Sequence, residues 1–275
     1  MMCAWQELLR VVPLWMRERV DSLGRGDMQE LRLRLGMPPE LILGSGTKFL
    51  DKAITKEDLT FVVNTASRYS PWAAETVSKG YLTVRGGHRI GICGEAVTDH
   101  EDLKGIRKIR SLCIRVARDF QNIAKGLPLN GSVLIIGKPG CGKTTLLRDL
   151  IRQRSLSGTS SIAVVDERGE LFPEGFQPGP RTDILSGCDK KDGIPILLRT
   201  MGPGTLAIDE ITAQEDVLYQ AVWCGVDLLA TAHAGSLSDL ERRAEYRKIL
   251  ESGIFQTLVI LQQDKSWRTE RMSLC

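Results

Sequence analysis

The residues Gly137, Lys138, Pro139, Gly140, Cys141, Gly142, Lys143 and Thr144, with Thr145 behind them, have the spacing G-x-x-x-x-G-K-T. An apolar run (Val133, Leu134, Ile135, Ile136) comes before them and a helical pattern, TTLLRDLIRQ, follows. Strand, loop and helix in that order give the glycines a purpose. They let backbone N–H groups close around phosphate oxygens above the positive end of the helix. Lys143 would reach the β and γ phosphates and the Thr144 hydroxyl would hold Mg²⁺. The simpler reading, a glycine-rich turn and nothing more, does not account for every fixed position matching between the required elements. This segment is expected to bind a nucleoside triphosphate.

Three later positions carry groups suited to phosphoryl transfer, each at the end of an apolar run: Asp166 and Glu167 after SIAVV, Asp209 and Glu210 after TLAI, and His233 after DLLATA. Asp209 has the place of a Walker B carboxylate holding Mg²⁺, and Glu210 is placed to orient and polarise an attacking water. An acidic pair after a strand is also a common helix cap, so the pair gains its meaning from the phosphate loop. His233 alone reads as a satisfied loop histidine; at a strand terminus beside the loop it reads as a γ-phosphate contact. Cys141, inside the loop, is read as packing rather than catalysis, with oxidation as a route to inactivation.

The elements that must position these residues alternate strand and helix. Strands are expected at Ser161 to Asp166, Thr205 to Asp209 and Asp227 to Thr231. Helices are expected at Ile194 to Met201, Ala213 to Cys224 and Ser238 to Leu250, while Phe255 to Leu261 and Trp267 to Ser273 close the sheet. Strands that are apolar throughout and separated by helices predict a mainly parallel sheet covered on both faces, with ligands at its carboxyl ends.

The first half has a different pattern. Trp5 to Leu23 has helical spacing broken at Pro13, which predicts two short helices or one kinked one. Glu30 to Leu35 alternates as a half-buried strand, with Leu31, Leu33 and Leu35 on one face, and a second strand covers Leu41 to Leu43. Thr55 and Asp58 form a capping box for a helix running to about Tyr69, and a further helix starts near Pro71. Tyr81 to Val97 reads as a hairpin turning at Gly86-Gly87, and Ser111 to Val116 as another strand. Arg85, Arg89, Arg110 and Arg115 lie on these strands and turns; from composition alone they are sheet-edge charge that deters aggregation. The polar stretch Asp119 to Gly131 marks the boundary between a domain at 1–122 and one at 123–275.

The 275 residues are enough for two domains. With 37 basic and 34 acidic residues, net charge +3, nothing global calls for nucleic acid or an anionic membrane as partner. Seven scattered cysteines without a C-x-x-C pair argue against a disulfide framework and a zinc site, and point to a reducing, cytoplasmic compartment. No apolar run approaches the ~20 residues of a membrane span, and the N-terminus does not read as a signal peptide.

IAVVDERGEL resembles the Asp box of the secretion ATPase superfamily, LLRTMGPGTLAIDEI its Walker B segment and GVDLLATAHAGS its His box. ELRLRLGMPPEL, YLTVRGGHRIGICGEAV and KGIRKIRSLCIRVARD are similar to a branch of that superfamily found in endospore-forming bacteria. Nearly the whole chain is covered, and four boxes in order are specific. The resemblance implies an α/β fold, a RecA-like P-loop ATPase domain with a mainly parallel sheet preceded by a smaller α+β N-terminal domain. It implies ATP with Mg²⁺, a homo-oligomeric, hexameric ring, and membrane-embedded channel components that recruit the protein to the inner face of the membrane on the mother-cell side. Residue by residue it makes Lys143 and Thr144 ligands of phosphate and Mg²⁺, Glu210 the catalytic glutamate and His233 the His-box contact. Asp166 and Glu167 become Asp-box acids, Asp166 on the metal side, although the usual order is glutamate first. The division of labour between Glu167 and Glu210 therefore stays open. In the family, N-domain arginines reach the nucleotide, sometimes from a neighbouring subunit, which reverses the reading of Arg85, Arg89, Arg110 and Arg115: at least one is expected to act there.

The function so implied is an ATP-driven motor energising a secretion-like channel between mother cell and forespore. Two other classes share the loop. A nucleic-acid-stimulated ATPase would need a basic stripe with stacking aromatics, and aromatics are only 5% of this chain. A nucleotide-binding scaffold with little hydrolysis would keep the loop and have no use for Glu210.

Overall fold

The computed structural model of the protein describes residues 3–68, 80–99, 102–158, 160–211 and 215–272. The chain divides into two compact units, Met1–Asp119 with Pro173–Phe176, and Phe120–Phe172 with Gln177–Cys275. The expected helix near Pro71 lies outside the described residues.

The first unit begins with α1 (Trp5–Val11), a 3₁₀ turn (Leu14–Met16) and α2 (Arg17–Gly24). Pro13, which cannot donate to a preceding turn, sits at the break, as its position predicts. Strands β1 (Met28–Arg34), β2 (Glu40–Leu43) and β3 (Gly46–Phe49), helix α3 (Lys56–Arg68), and strands β4 (Tyr81–Val84), β5 (His88–Asp99) and β6 (Asp102–Arg115) follow. All six strands pair antiparallel in the order β3-β2-β1-β6-β5-β4. Leu31 and Leu33 point into the core as their alternation predicts. Leu35 does not: it follows the last β1 residue, where Gly36 turns the chain at φ +77°, and it is 46% exposed. The β5–β6 hairpin is much longer than the expected strand at Ser111 to Val116. Register breaks between Cys93 and Glu95 and between Val97 and Thr98 interrupt the period-2 pattern that would have revealed it.

The α3 cap forms as the sequence predicts. Thr55 N–H donates to Asp58 Oδ2 at 2.9 Å and Asp58 N–H to Thr55 Oγ1 at 3.2 Å. The Trp15 indole donates to Asp58 Oδ1 at 2.9 Å, which ties the 3₁₀ turn to the start of α3. Partial burial opposes ionisation of Asp58, but the Thr55 and Trp15 bonds prevail and hold its carboxyl below the ordinary range.

The second unit holds β7 (Val133–Gly137), α4 (Lys143–Ser157), β8 (Ile162–Asp166), β9 (Thr182–Ser186), α5 (Lys190–Met201), β10 (Thr205–Ile208) and α6 (Glu215–Trp223). It continues through β11 (Asp227–His233), α7 (Leu237–Arg242), α8 (Ala244–Glu251), β12 (Thr257–Leu261) and β13 (Trp267–Arg271). The sheet order is β13-β12-β7-β11-β10-β8-β9; every pairing is parallel except β12 with β13. β7, β8 and β10 are buried at every residue, as expected of strands covered on both faces. The expected helix at Ser238 to Leu250 is two helices, broken where Arg243 takes an extended ψ of 117°. Helix α5 starts four residues before Ile194, at Lys190, where the Asp189 carboxylate caps it by accepting from Lys191 N–H at 2.7 Å. β9 has no counterpart among the expected elements: none of its residues is fully buried, so no apolar run announces it.

The protein is therefore α/β, a RecA-like unit with a mostly parallel mixed sheet preceded by an antiparallel-sheet domain. No helix among the described residues is long and apolar enough to cross a membrane.

Candidate active site

Because β7, β11, β10 and β8 are neighbours and run the same way, their carboxyl ends share one edge of the sheet. Gly137 at the end of β7 pairs with His233 at the end of β11. Asp209 follows β10 directly and Asp166 ends β8.

The phosphate loop is built by its glycines. Gly140 and Gly142 have φ of +75° and +103°, which L side chains rarely adopt. A Cβ on Gly137 would lie 2.5 Å from Cys141 Sγ and 2.9 Å from the Leu261 carbonyl oxygen, so the loop can fold onto the neighbouring strand only without a side chain there. Cys141 is fully buried beneath it. Lys138 and Pro139 are exposed and Thr145 is half-buried in the first turn of α4.

Lys143, 6% exposed, donates from Nζ to the carbonyls of Gly137 (3.0 Å) and Lys138 (3.2 Å) and to Nδ1 of His233 (2.9 Å). An ammonium group has no lone pair, so Nδ1 accepts and the imidazole carries its proton on Nε2. Nε2 lies 3.1 Å from Glu210 Oε1. Arg168 Nη1 stands 3.7 Å from the other Glu210 oxygen. Burial pushes the Lys143 ammonium below its ordinary range, against the pull of Asp209 and Glu210.

A second network interlocks with the first. Asp209 Oδ2 accepts from the Thr144 hydroxyl at 2.8 Å and Oδ1 from the Thr231 hydroxyl at 2.7 Å. Thr231 Oγ1 in turn accepts the Glu210 N–H at 2.8 Å, and the Thr231 carbonyl accepts the Ile211 N–H at 2.8 Å. Between these bonds Glu210 takes a φ of +57°.

The hydroxyl of Thr144 and the carboxylate of Asp209 are hard oxygen donors suited to Mg²⁺. No cluster of three or more His, Cys, Asp or Glu able to hold a metal occurs among the described residues.

Asp166 and Glu167 belong to a separate set of bonds. Asp166, 2% exposed, accepts from the backbone N–H groups of Glu170 (2.8 Å), Leu171 (3.0 Å) and Phe172 (3.0 Å). Its carboxylate thus folds the turn that carries Arg168. Glu167 Oε2 accepts from Lys190 Nζ at 2.6 Å.

The four arginines named from sequence lie in the first unit. Arg85 pairs with Glu174 (3.4 Å), Arg115 with Glu30 (3.5 Å), Arg89 covers the Tyr81 ring at 4.1 Å from its centroid, and Arg110 is exposed on β6.

Thr231, Arg168, Lys190 and Lys265 escaped the sequence reading. Thr231 was within reach of it, since two residues before His233 on a strand means the same face. Lys265, whose Nζ donates to the Gly140 carbonyl at 2.9 Å, comes from the β12–β13 turn and is brought there by sheet order alone.

Residues 6–271 match the family described as "Sporulation stage III, protein AA". The chain belongs to that family. It is 35% identical to the stage III sporulation protein AA of Bacillus subtilis (strain 168), an alignment covering 94% of this chain and 91% of the relative. In fold it is similar to the pilus retraction motor PilT solved with bound ADP: TM-score 0.65, 17% identity, covering 90% of this chain and 77% of the other. It is also similar to the Legionella pneumophila ATPase DotB, with TM-score 0.60, 15% identity, and coverage of 94% and 80%. At such identities the likeness is one of fold.

Proposed function

We propose that this protein is an ATP-hydrolysing motor of the secretion ATPase type that energises a channel complex during endospore formation. The reading is carried by the Lys143–His233 hydrogen bond, with Glu210 3.1 Å from His233, lying beside the Thr144–Asp209 pair at the carboxyl ends of adjacent parallel strands. Its sporulation context comes from the family, and its motor character from the fold shared with the retraction motor PilT and the ATPase DotB.

In this reading the triphosphate enters over the loop, backbone N–H groups surround it, and Lys143 leaves the Gly137 and Lys138 carbonyls for the β and γ oxygens. Thr144 and Asp209 would hold Mg²⁺, which supplies positive charge against the phosphates. Glu210 orients the water that attacks, and His233, freed from Lys143, keeps Nε2–H on Glu210 or turns to the γ phosphate. Of Glu167 and Glu210, Glu210 is preferred because it stands beside His233, the acceptor of Lys143, whereas Asp166 and Glu167 shape and anchor the loop of Arg168. At least one of Arg85, Arg89, Arg110 and Arg115 is proposed to serve the nucleotide. A hexameric ring recruited to the inner face of the membrane by channel components completes the reading.

Steady-state hydrolysis and nucleotide binding test it. Lys143→Ala should fall to background turnover, and Glu210→Gln should bind ATP and fail to release phosphate. Undiminished hydrolysis by Lys143→Ala would remove this loop as the seat of the reaction.

A further inference from the structure

Thr231 is 1% exposed and turns both its hydroxyl and its carbonyl to the acidic segment after β10. Its hydroxyl donates to Asp209 Oδ1 and accepts from the Glu210 N–H, while its carbonyl accepts from the Ile211 N–H. The turn so held is not one the chain would choose freely. Glu210 has no glycine's freedom, yet its φ is +57°, a left-handed conformation that an L side chain occupies at a cost and keeps only where its surroundings dictate it. Thr231 also lies two residues before His233, whose Nε2 meets the Glu210 carboxylate at 3.1 Å. The same strand therefore grips Glu210 at both ends, by its backbone through Thr231 and by its side chain through His233.

We infer that Thr231 is a positioning residue for the reaction: its hydroxyl fixes the backbone of Glu210, and with it the carboxylate, while aligning the Asp209 oxygen that faces away from Thr144. A hydroxyl suits this place because it can donate to the carboxylate and accept from the amide at once. Valine has the same shape and can do neither, leaving the Glu210 N–H without its partner. The kinetic consequence rests on the ATPase reading given above; the structural consequence does not.

The test uses the full chain as Thr231→Val, Thr231→Ser and Thr231→Ala, with two measurements. Amide hydrogen exchange should accelerate at Glu210 by about 3- to 10-fold in the Val and Ala variants, the value of one lost hydrogen bond. It should be unchanged at Ile211, whose acceptor is the retained carbonyl, and Ser should restore the Glu210 value. In steady-state ATP hydrolysis, kcat of the Val and Ala variants should fall by about 10- to 100-fold from misplacement of Glu210. KM should stay within about twofold because the phosphate loop is untouched, and Ser should recover most of kcat. Val and Ala variants that keep the parent's kcat would overturn the proposal, as would equal acceleration at Glu210 and Ile211, which would mean general loosening of β11. If the parent protein hydrolyses nothing, the ATPase reading fails by itself and the exchange at Glu210 still decides whether Thr231 holds the turn.

Discussion

His233 stands between a cation and an anion, accepting from Lys143 at 2.9 Å and facing Glu210 at 3.1 Å. Removing its ring leaves the Lys143 ammonium short of one acceptor and takes away the imidazole beside the Glu210 carboxylate. On the ATPase reading, His233→Ala should lower kcat by about 100-fold, the usual worth of a positioned proton-bearing side chain, with a smaller effect on ATP affinity. Single-turnover hydrolysis and equilibrium nucleotide binding separate the two, and a kcat within about threefold of the parent's would reduce the histidine to packing. That Lys143, Thr144, Asp209, Glu210 and His233 gather was readable beforehand, because each ends or follows an apolar strand and such strands end together. The second role of the strand end was not. Thr231 looks like one more β-branched residue until the turn it holds is seen, and the bonds that occupy Asp166 come from backbone N–H groups, which leave no mark on sequence.

At the scale of elements, α3 is set by a cap that also receives the Trp15 indole, so one carboxylate joins two pieces of structure. Asp58→Ala should cost the first unit about 1 to 2 kcal/mol, read by chemical denaturation. The pH dependence follows from the lowered carboxyl of Asp58. A group depressed in the folded state stabilises fully above its unfolded value of about 3.9 and loses that contribution as pH falls through the folded value. The gap between the parent and Asp58→Asn should therefore be constant near neutrality and close below about pH 4. A gap that widened in acid would show the bond to be worth more to the neutral acid than to the carboxylate. The cap and helix were visible in the sequence as Thr55 and Asp58 before an apolar periodic run. The length of β5 and β6 was not, since bulges shift the face on which apolar residues fall, and β9 lacks the continuous burial that marks its neighbours.

For the whole molecule, the expected outcome concerns assembly. In solution, addition of ATP and Mg²⁺ should shift the mass toward six chains of 30.5 kDa each, as measured by light scattering, with hydrolysis rising alongside. A chain that stays monomeric under both conditions while fully active would rule out the ring. The parallel sheet was legible from strands apolar at every residue. One consequence of the bonding around Lys143 reaches beyond the site. Gly137 and His233 end β7 and β11, and Glu210 and Arg168 come two residues after β10 and β8, so their contacts stitch four strand ends together. An anion that draws Lys143 away undoes a stitch as it makes its own bond, so binding here is an exchange rather than a gain. A small anion has little to offer in that trade, and only a ligand with enough oxygens to replace all three acceptors of Lys143 comes out ahead.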